Sequence, residues 1–195
     1  MRRLPLLFLF CLFFCTGYAQ ADTALQPRLD SFFKLTTLLD IERILDFTYP
    51  KLFTIVSREQ MAELMKETYD NGEIKIELDS LKRGKIYPLL TMEDGSFVKV
   101  DYSMIMRMHF TDMDDDSTDF HEKAGFIVGI LESKYGTGNA RLDPLENRID
   151  IRVHTALLAV RDSYSPQWTF LNFDKNEPMT SLLLSQELID KLSSQ

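Results

Sequence analysis

Apolar residues in the N-terminal half of the chain recur with the spacing of amphipathic helices. One helix is predicted over 29–47, and a short helical piece follows over 49–53, with Pro50 near its start. Ser57 predicts the N-cap of the next helix, because Gln60 three residues later completes a capping box. The apolar positions of that helix form one stripe: Met61, Leu64, Met65 and Tyr69.

The pattern then changes from the helical period to strict alternation. Strands are predicted over 73–79, 84–92 and 97–110. Asp94-Gly95 between the second and third strands indicates a tight hairpin, since a primed turn needs positive φ at both central residues. These three strands are therefore expected to be antiparallel neighbours.

The third strand has the clearest alternation in the chain. A two-residue loop at 94–95 places Leu89 opposite Val100 and Tyr87 opposite Tyr102. The even face is predicted to be buried: Val98, Val100, Tyr102, Met104, Met106, Met108 and Phe110. The odd face is predicted to be largely exposed: Lys99, Asp101, Ser103, Arg107 and His109.

The C-terminal half predicts one helix, three strands and a short final helix. The helix covers 118–135, and the strands cover 139–142, 148–161 and 167–173. Ser185 is expected to cap the final helix. The complete order predicts an α+β fold in which N-terminal helices pack on an antiparallel sheet of about six strands.

The first nineteen residues have the pattern of a secretory signal peptide. Arg2 and Arg3 precede an apolar run over 4–15, and small residues follow near a cleavage point. We therefore expect an exported protein, periplasmic or extracellular, with a single α+β domain over 20–195. Both cysteines lie within the signal peptide, so the mature chain is expected to form no disulfide.

The charge of the mature chain limits its partners. Removing Arg2 and Arg3 leaves 20 Lys and Arg against 30 Asp and Glu, a net charge of −10. Such a chain is not expected to bind nucleic acid, which rewards clustered cations, or an anionic membrane surface once the signal is cleaved.

The order of helices and strands resembles the nuclear-transport-factor-2-like, or cystatin-like, α+β cone. Three stretches of the chain also look like small exported bacterial proteins of this kind. They are Asp46 to Phe53, Tyr102 to Met106 and Trp168 to Leu171. The resemblance covers about 28–192 and implies N-terminal helices that form a lid over a strongly curved sheet. The family includes isomerases, dehydratases, ligand-binding modules and dimerisation domains. No catalytic motif of the family matches here.

The acidic loop at 112–116 is a candidate calcium-binding loop. Asp112, Asp114 and Asp116 have the alternating spacing of an EF-hand loop. However, Ser117 stands where that loop needs glycine, and Lys123 stands where it needs a bidentate glutamate. We expect a solvated loop and no metal site.

The three histidines do not form a motif. His109 and His154 fall on the polar faces of their strands, and His121 lies early in a helix. An acid–base pair in a cavity needs the opposite orientation, so no catalytic residue and no cofactor are predicted.

A candidate ligand pocket is expected over the apolar face of the sheet. Tyrosine hydroxyls can orient a ligand in such a pocket, and methionines adapt to its shape. Ordinary core packing is the favoured interpretation of the same residues. The candidate residues are Tyr49, Tyr87, Tyr102, Met104, Met106 and Trp168.

The sequence favours a non-enzymatic module that binds a small apolar ligand or a protein partner. The alternative is a cone-type isomerase or dehydratase that uses Tyr102 or Tyr49 with a helix carboxylate such as Asp46. A tyrosine hydroxyl within hydrogen-bond reach of a carboxylate or imidazole inside the pocket would favour the enzyme.

Apolar residues on the outer face of the sheet raise the question of self-association. A patch of this kind either forms a homodimer interface or is covered by the C-terminal helix. We expect the helix to cover it and the protein to be a monomer. The patch comprises Phe97, Ile105, Ala156, Leu158 and Val160.

Overall fold

The computed structural model describes residues 23–92, 94–111 and 118–195, with side chains in the last range from Glu122 onward. The predicted signal peptide, the calcium interpretation of 112–116 and the His121 side chain lie outside the described part. Within that part, no helix has the length and hydropathy that a membrane crossing requires.

Within the described residues, six helices and six strands follow one another in blocks. The helices are α1 Leu25–Thr37, α2 Ile41–Phe47, α3 Arg58–Tyr69, α4 Thr118–Tyr135, α5 Pro178–Leu183 and α6 Gln186–Ser193, with a 3₁₀ helix over Pro50–Thr54. The strands are β1 Ile74–Ile86, β2 Leu90–Met92, β3 Gly95–Phe110, β4 Ala140–Asp143, β5 Arg148–Asp162 and β6 Thr169–Phe173.

All six strands form one antiparallel sheet. Its main order is β1-β3-β5-β4, with β2 paired to β3 and β6 paired to β5. The predicted α+β class with N-terminal helices and a six-stranded antiparallel sheet is confirmed. Its strong curvature stays a prediction.

The predicted single helix over 29–47 is wrong. The chain breaks between α1 and α2, where Leu39 adopts a positive φ of 51°. Asp40 then caps α2 by accepting a hydrogen bond from the Arg43 backbone N–H. Aspartate is one of the favoured N-cap residues. The sequence did not predict the break, because no glycine or proline stands there.

The predicted hairpin exists, but its register is wrong. Met92 pairs with Gly95, so the turn precedes the glycine. Farther along β3 the register shifts again, and the partner of Val100 is Ile86. Gly95 lies within β3, where an added Cβ would stand 2.8 Å from the Arg161 carbonyl oxygen. The absence of a side chain at Gly95 therefore lets β3 lie close to β5.

The predicted strands over 73–79 and 84–92 are also divided differently. β1 runs through to Ile86 with a bulge near Ser80, whose φ is 53°. Pro88 has no N–H to donate, and it lies in the gap before β2.

Helices cover both faces of the sheet. Leu25, Leu29 and Phe33 of α1 pack on Val98 and Val100 of the even face of β3. α4 covers the other end of the same face through Ala124, which belongs to the cluster of Phe110 and Ile149.

The opposite face is covered at one end by the C-terminal helices. Leu188 and Leu192 of α6 bury Phe97, Leu158 and Val160. Lys99 is also buried there, and its Nζ donates a 2.7 Å hydrogen bond to the Leu192 carbonyl oxygen. The prediction that the odd face of β3 is largely exposed is therefore wrong. Lys99 is buried because α6 lies over it, and the other four residues of that face are half-buried: Asp101, Ser103, Arg107 and His109.

The predicted burial of the even face holds only at its ends. Val98, Val100 and Phe110 are buried, whereas Tyr102, Met104, Met106 and Met108 are half-buried. The space over Tyr102 and Met104 is a cavity, which is the candidate site.

Candidate functional site

An apolar cavity of about 460 Å³ lies between helices α1–α3 and the sheet. Phe32 and Phe33 of α1 form one wall, and Met61 and Met65 of α3 form another. Phe170 of β6 lines the cavity from the sheet. Its volume falls in the range of small-molecule sites, which are mostly apolar with a few placed polar groups.

Local sequence signals position α3 over this cavity. The Ser57 hydroxyl accepts a hydrogen bond from the Gln60 N–H, and the Gln60 side chain accepts one from the Ser57 N–H. This capping box starts the helix so that Met61, Met65 and Tyr69 face the sheet. Leu64, predicted in the same stripe, is 52% exposed, so that part of the prediction is wrong.

A charged contact holds α3 against α2. The Arg58 guanidinium lies 2.8 Å from Asp46 Oδ1 and donates a 2.7 Å hydrogen bond to the Glu42 carbonyl oxygen. Asp46 therefore points outward to a cation. The isomerase alternative needs this carboxylate beside Tyr102 or Tyr49, and the structure pairs it with Arg58 instead.

The principal polar contact in the cavity joins β3 to β6. The Tyr102 hydroxyl donates a 3.0 Å hydrogen bond to Asn172 Oδ1, and both residues line the cavity. Burial is the main cause that raises the pKa of Tyr102 above its usual value near 10. The phenol is therefore neutral at physiological pH and acts here as a hydrogen-bond donor.

The remaining polar residues of the lining divide into two groups. The hydroxyls of Thr36 and Thr48 donate to the carbonyl oxygens of Phe32 and Ile44 in the preceding helical turns. The hydrogens of these hydroxyls are therefore already donated within the chain and do not need an acceptor on a ligand. The charged group in the described lining is the carboxylate of Glu177, the exposed residue that precedes α5.

Two of the six predicted pocket residues, Tyr102 and Met104, line the cavity. Met106 packs under α4 with Ile149 and its neighbours. Trp168 is 1% exposed within the core under α1, and its carbonyl oxygen accepts a hydrogen bond from Arg28 Nε. These two side chains are therefore core residues.

Tyr87 lies away from the cavity. Its hydroxyl donates a 3.0 Å hydrogen bond to Asp101 Oδ2, and the buried Lys99 Nζ lies 4.3 Å from its ring centroid. This hydrogen bond is the main cause that raises the pKa of Tyr87. The shifted hairpin register and a second register shift between Arg83 and Ile86 account for the difference, because together they make Arg83 and not Tyr87 the partner of Tyr102.

Tyr49 also lies outside the apolar cavity and is 2% exposed. Its N–H donates to the Phe170 carbonyl oxygen, which directs the ring to the far side of β6. There its hydroxyl donates a 2.5 Å hydrogen bond to Asp162 Oδ2, beside a second depression of about 360 Å³. Burial and this hydrogen bond raise the pKa of Tyr49.

The two described histidine side chains lie outside the apolar cavity. His109 Nε2 is 3.6 Å from Glu77 Oε2 on the charged face of the sheet. His154 is exposed and borders shallow depressions near Asp101. In the described part of the chain, no group of three or more His, Cys, Asp and Glu residues could hold a metal ion.

Sequence reasoning missed Asn172 and Glu177 as parts of the site. The alternation of Trp168, Phe170 and Asn172 along β6 is the signal that could have located the asparagine. Glu177 lies five residues beyond Asn172 in a connecting segment, and no local pattern indicates that it reaches the same cavity.

No known protein family, curated protein or solved structure matches this chain. The resemblance to the α+β cone therefore stays a prediction.

Proposed function

We propose that this chain is an exported, non-enzymatic protein that binds a small, largely apolar ligand between α1–α3 and the sheet. The observation that carries the proposal is the cavity of about 460 Å³ with aromatic and methionine walls. Export follows from the signal-peptide pattern of the first nineteen residues.

The balance of forces in the cavity favours an apolar occupant. Each methylene group transferred from water into such a site contributes about 0.8 kcal/mol. The methionines and the half-buried aromatic rings can adapt to ligands of different shape. Tyr102 and Asn172 supply a fixed polar contact that can orient one end of the ligand.

The isomerase or dehydratase alternative has less geometric support. Its tyrosine would need a proton acceptor, but the partner of the Tyr102 hydroxyl is the amide oxygen of Asn172, which does not titrate. Tyr49 has a carboxylate partner in Asp162, but that pair lies outside the cavity with the tyrosine almost fully buried. Binding is therefore the function that the geometry supports best.

A fluorescent apolar probe, N-phenyl-1-naphthylamine, tests the proposal on the mature chain. We expect saturable binding of one probe with an increase in emission. Met65→Trp places a larger side chain in the cavity and is expected to weaken binding at least tenfold. The matched control is Leu64→Trp, which adds the same side chain at the neighbouring exposed position of α3.

The probe is excited at a wavelength longer than tryptophan absorbs, so the added indole does not contribute to the measured emission. Circular dichroism verifies that both variants are folded. Failure of the mature chain to bind the probe would overturn the proposal. Equal affinity of Met65→Trp and Leu64→Trp would do so as well, because binding would then lie elsewhere.

A further inference from the structure

We propose that the ligand of the apolar cavity is a single-chain amphiphile whose head is a protonated amine, and that Glu177 receives this head. The inference rests on the proposed binding function and names the ligand class. It follows from how charge and hydrogen-bonding groups are distributed in the cavity lining.

The charge in the described cavity lining is negative. Glu177 supplies a carboxylate, whereas the other described lining residues are apolar or neutral. An ionised carboxylate attracts a cationic head and repels an anionic one. The net charge of the chain, −8 over the full sequence, acts in the same direction at longer range.

The hydrogen-bonding groups point to the same head chemistry. The Tyr102 hydroxyl has committed its hydrogen to Asn172 Oδ1, so its oxygen presents lone pairs as an acceptor. An ammonium group carries three donors and can satisfy such acceptors together with the Glu177 carboxylate. A fatty-acid carboxylate would be repelled by the negative charge of Glu177. It would also lack a donor in Tyr102, whose hydroxyl hydrogen is already donated.

The tail is accommodated by the rest of the cavity. Phe32, Phe33, Met65 and Phe170 supply apolar walls within the same lining. A ligand with an alkyl chain of roughly ten carbons would use these walls, each methylene group adding up to about fourfold in affinity.

Competition with the bound probe separates the head from the tail. Decylamine, decanol and decanoate share one tail and differ in charge at neutral pH. We expect decylamine to displace the probe at the lowest concentration and decanoate at one about fivefold higher or more. Octylamine is expected to bind more weakly than decylamine.

Two matched variants test the role of Glu177. Glu177→Gln is expected to reduce the preference for decylamine over decanoate to less than twofold, with decanol unchanged. Glu63→Gln removes the same charge from an exposed position of α3 outside the lining and is expected to keep the preference.

The outcomes distinguish this inference from the proposed function. If the probe and all three decyl compounds fail to bind, the proposed function falls. If the compounds bind equally, or decanoate binds best, the cavity binds ligands but the amine inference is overturned. An unchanged preference in Glu177→Gln would also overturn it.

Discussion

The hydroxyl of Tyr49 donates a 2.5 Å hydrogen bond to Asp162 Oδ2, which connects the residue before the 3₁₀ helix to the end of β5. The other oxygen of Asp162 accepts hydrogen bonds from the backbone N–H groups of Tyr164 and Ser165. The Asp162 carboxylate thus holds both the turn after β5 and the segment that joins α2 to α3.

Tyr49→Phe is expected to reduce the free energy of unfolding by about 1.5–3 kcal/mol, because it removes a hydrogen bond to a charged group at a position that is 2% exposed. Urea unfolding measures the loss. Tyr87→Phe is the matched control, since its hydroxyl also donates to an aspartate but at a half-exposed position, and a loss below about 1 kcal/mol is expected. Equal losses would contradict the assigned role.

The stability of the protein is expected to fall as the pH rises above about 10. The pKa values of Tyr49 and Tyr102 are raised in the folded state, so above the unfolded value near 10 the folded state holds more protons. Each such tyrosine contributes a loss of up to about 1.4 kcal/mol per pH unit. Urea unfolding at pH 8 and pH 10.5 measures the change.

Tyr49→Phe should flatten this alkaline loss, because phenylalanine cannot titrate. Lysines titrate in the same range, but they are common to the wild type and the variant, so the difference between the two isolates the tyrosine. Tyr164→Phe, at an exposed position, serves as the control. Parallel pH profiles of the wild type and Tyr49→Phe would contradict the prediction.

Leu158 is 0% exposed under α6, and its truncation is expected to be costly. Leu158→Ala should reduce the free energy of unfolding by about 2–5 kcal/mol through lost burial and a cavity. Leu182→Ala, at a position that is 63% exposed, should change it by less than about 0.5 kcal/mol. Chemical unfolding compares the two variants.

Because α6 covers Leu158, we expect the mature chain to scatter light as a monomer at micromolar concentration. A dimer would require another surface to be the interface.

Two glycines should respond to alanine in opposite directions. A Cβ at Gly95 would stand 2.8 Å from both the Arg161 carbonyl oxygen and Asp162 Cβ, so Gly95→Ala forces β3 and β5 apart. A loss of at least about 1 kcal/mol is expected. A Cβ at Gly125 in α4 meets nothing within 4 Å, so Gly125→Ala should stabilise by about 0.5–1 kcal/mol. Thermal unfolding gives the sign of each change.

Signals that act over a few residues were sufficient for much of the fold. The capping box of Ser57 and Gln60, the existence of the long strand β3 and the extent of α4 were all predicted from neighbouring residues. Ser185 at the start of α6 belongs with them, since its side chain accepts from the Leu188 N–H. Such patterns succeed because the interactions behind them lie within one or two turns of chain.

The site itself depended on contacts between distant segments. Asn172 and Glu177 lie about seventy residues or more beyond Tyr102, and only the packing of β6 against β5 brings them to the same cavity. Tyr49 was predicted to face that cavity, but its backbone bond to Phe170 directs it to Asp162. Periodicity assigns a residue to a face of its own element and does not say which partner that face meets.

The sequence by itself therefore determined the class of fold and the capped starts of α3 and α6. The tertiary structure decided the hairpin register, the burial of Phe97 and Lys99 beneath α6, and which aromatic residues border open space. The physical reason is that backbone capping and alternation are local, whereas a cavity exists only where packed elements from separate parts of the chain fail to fill the space between them.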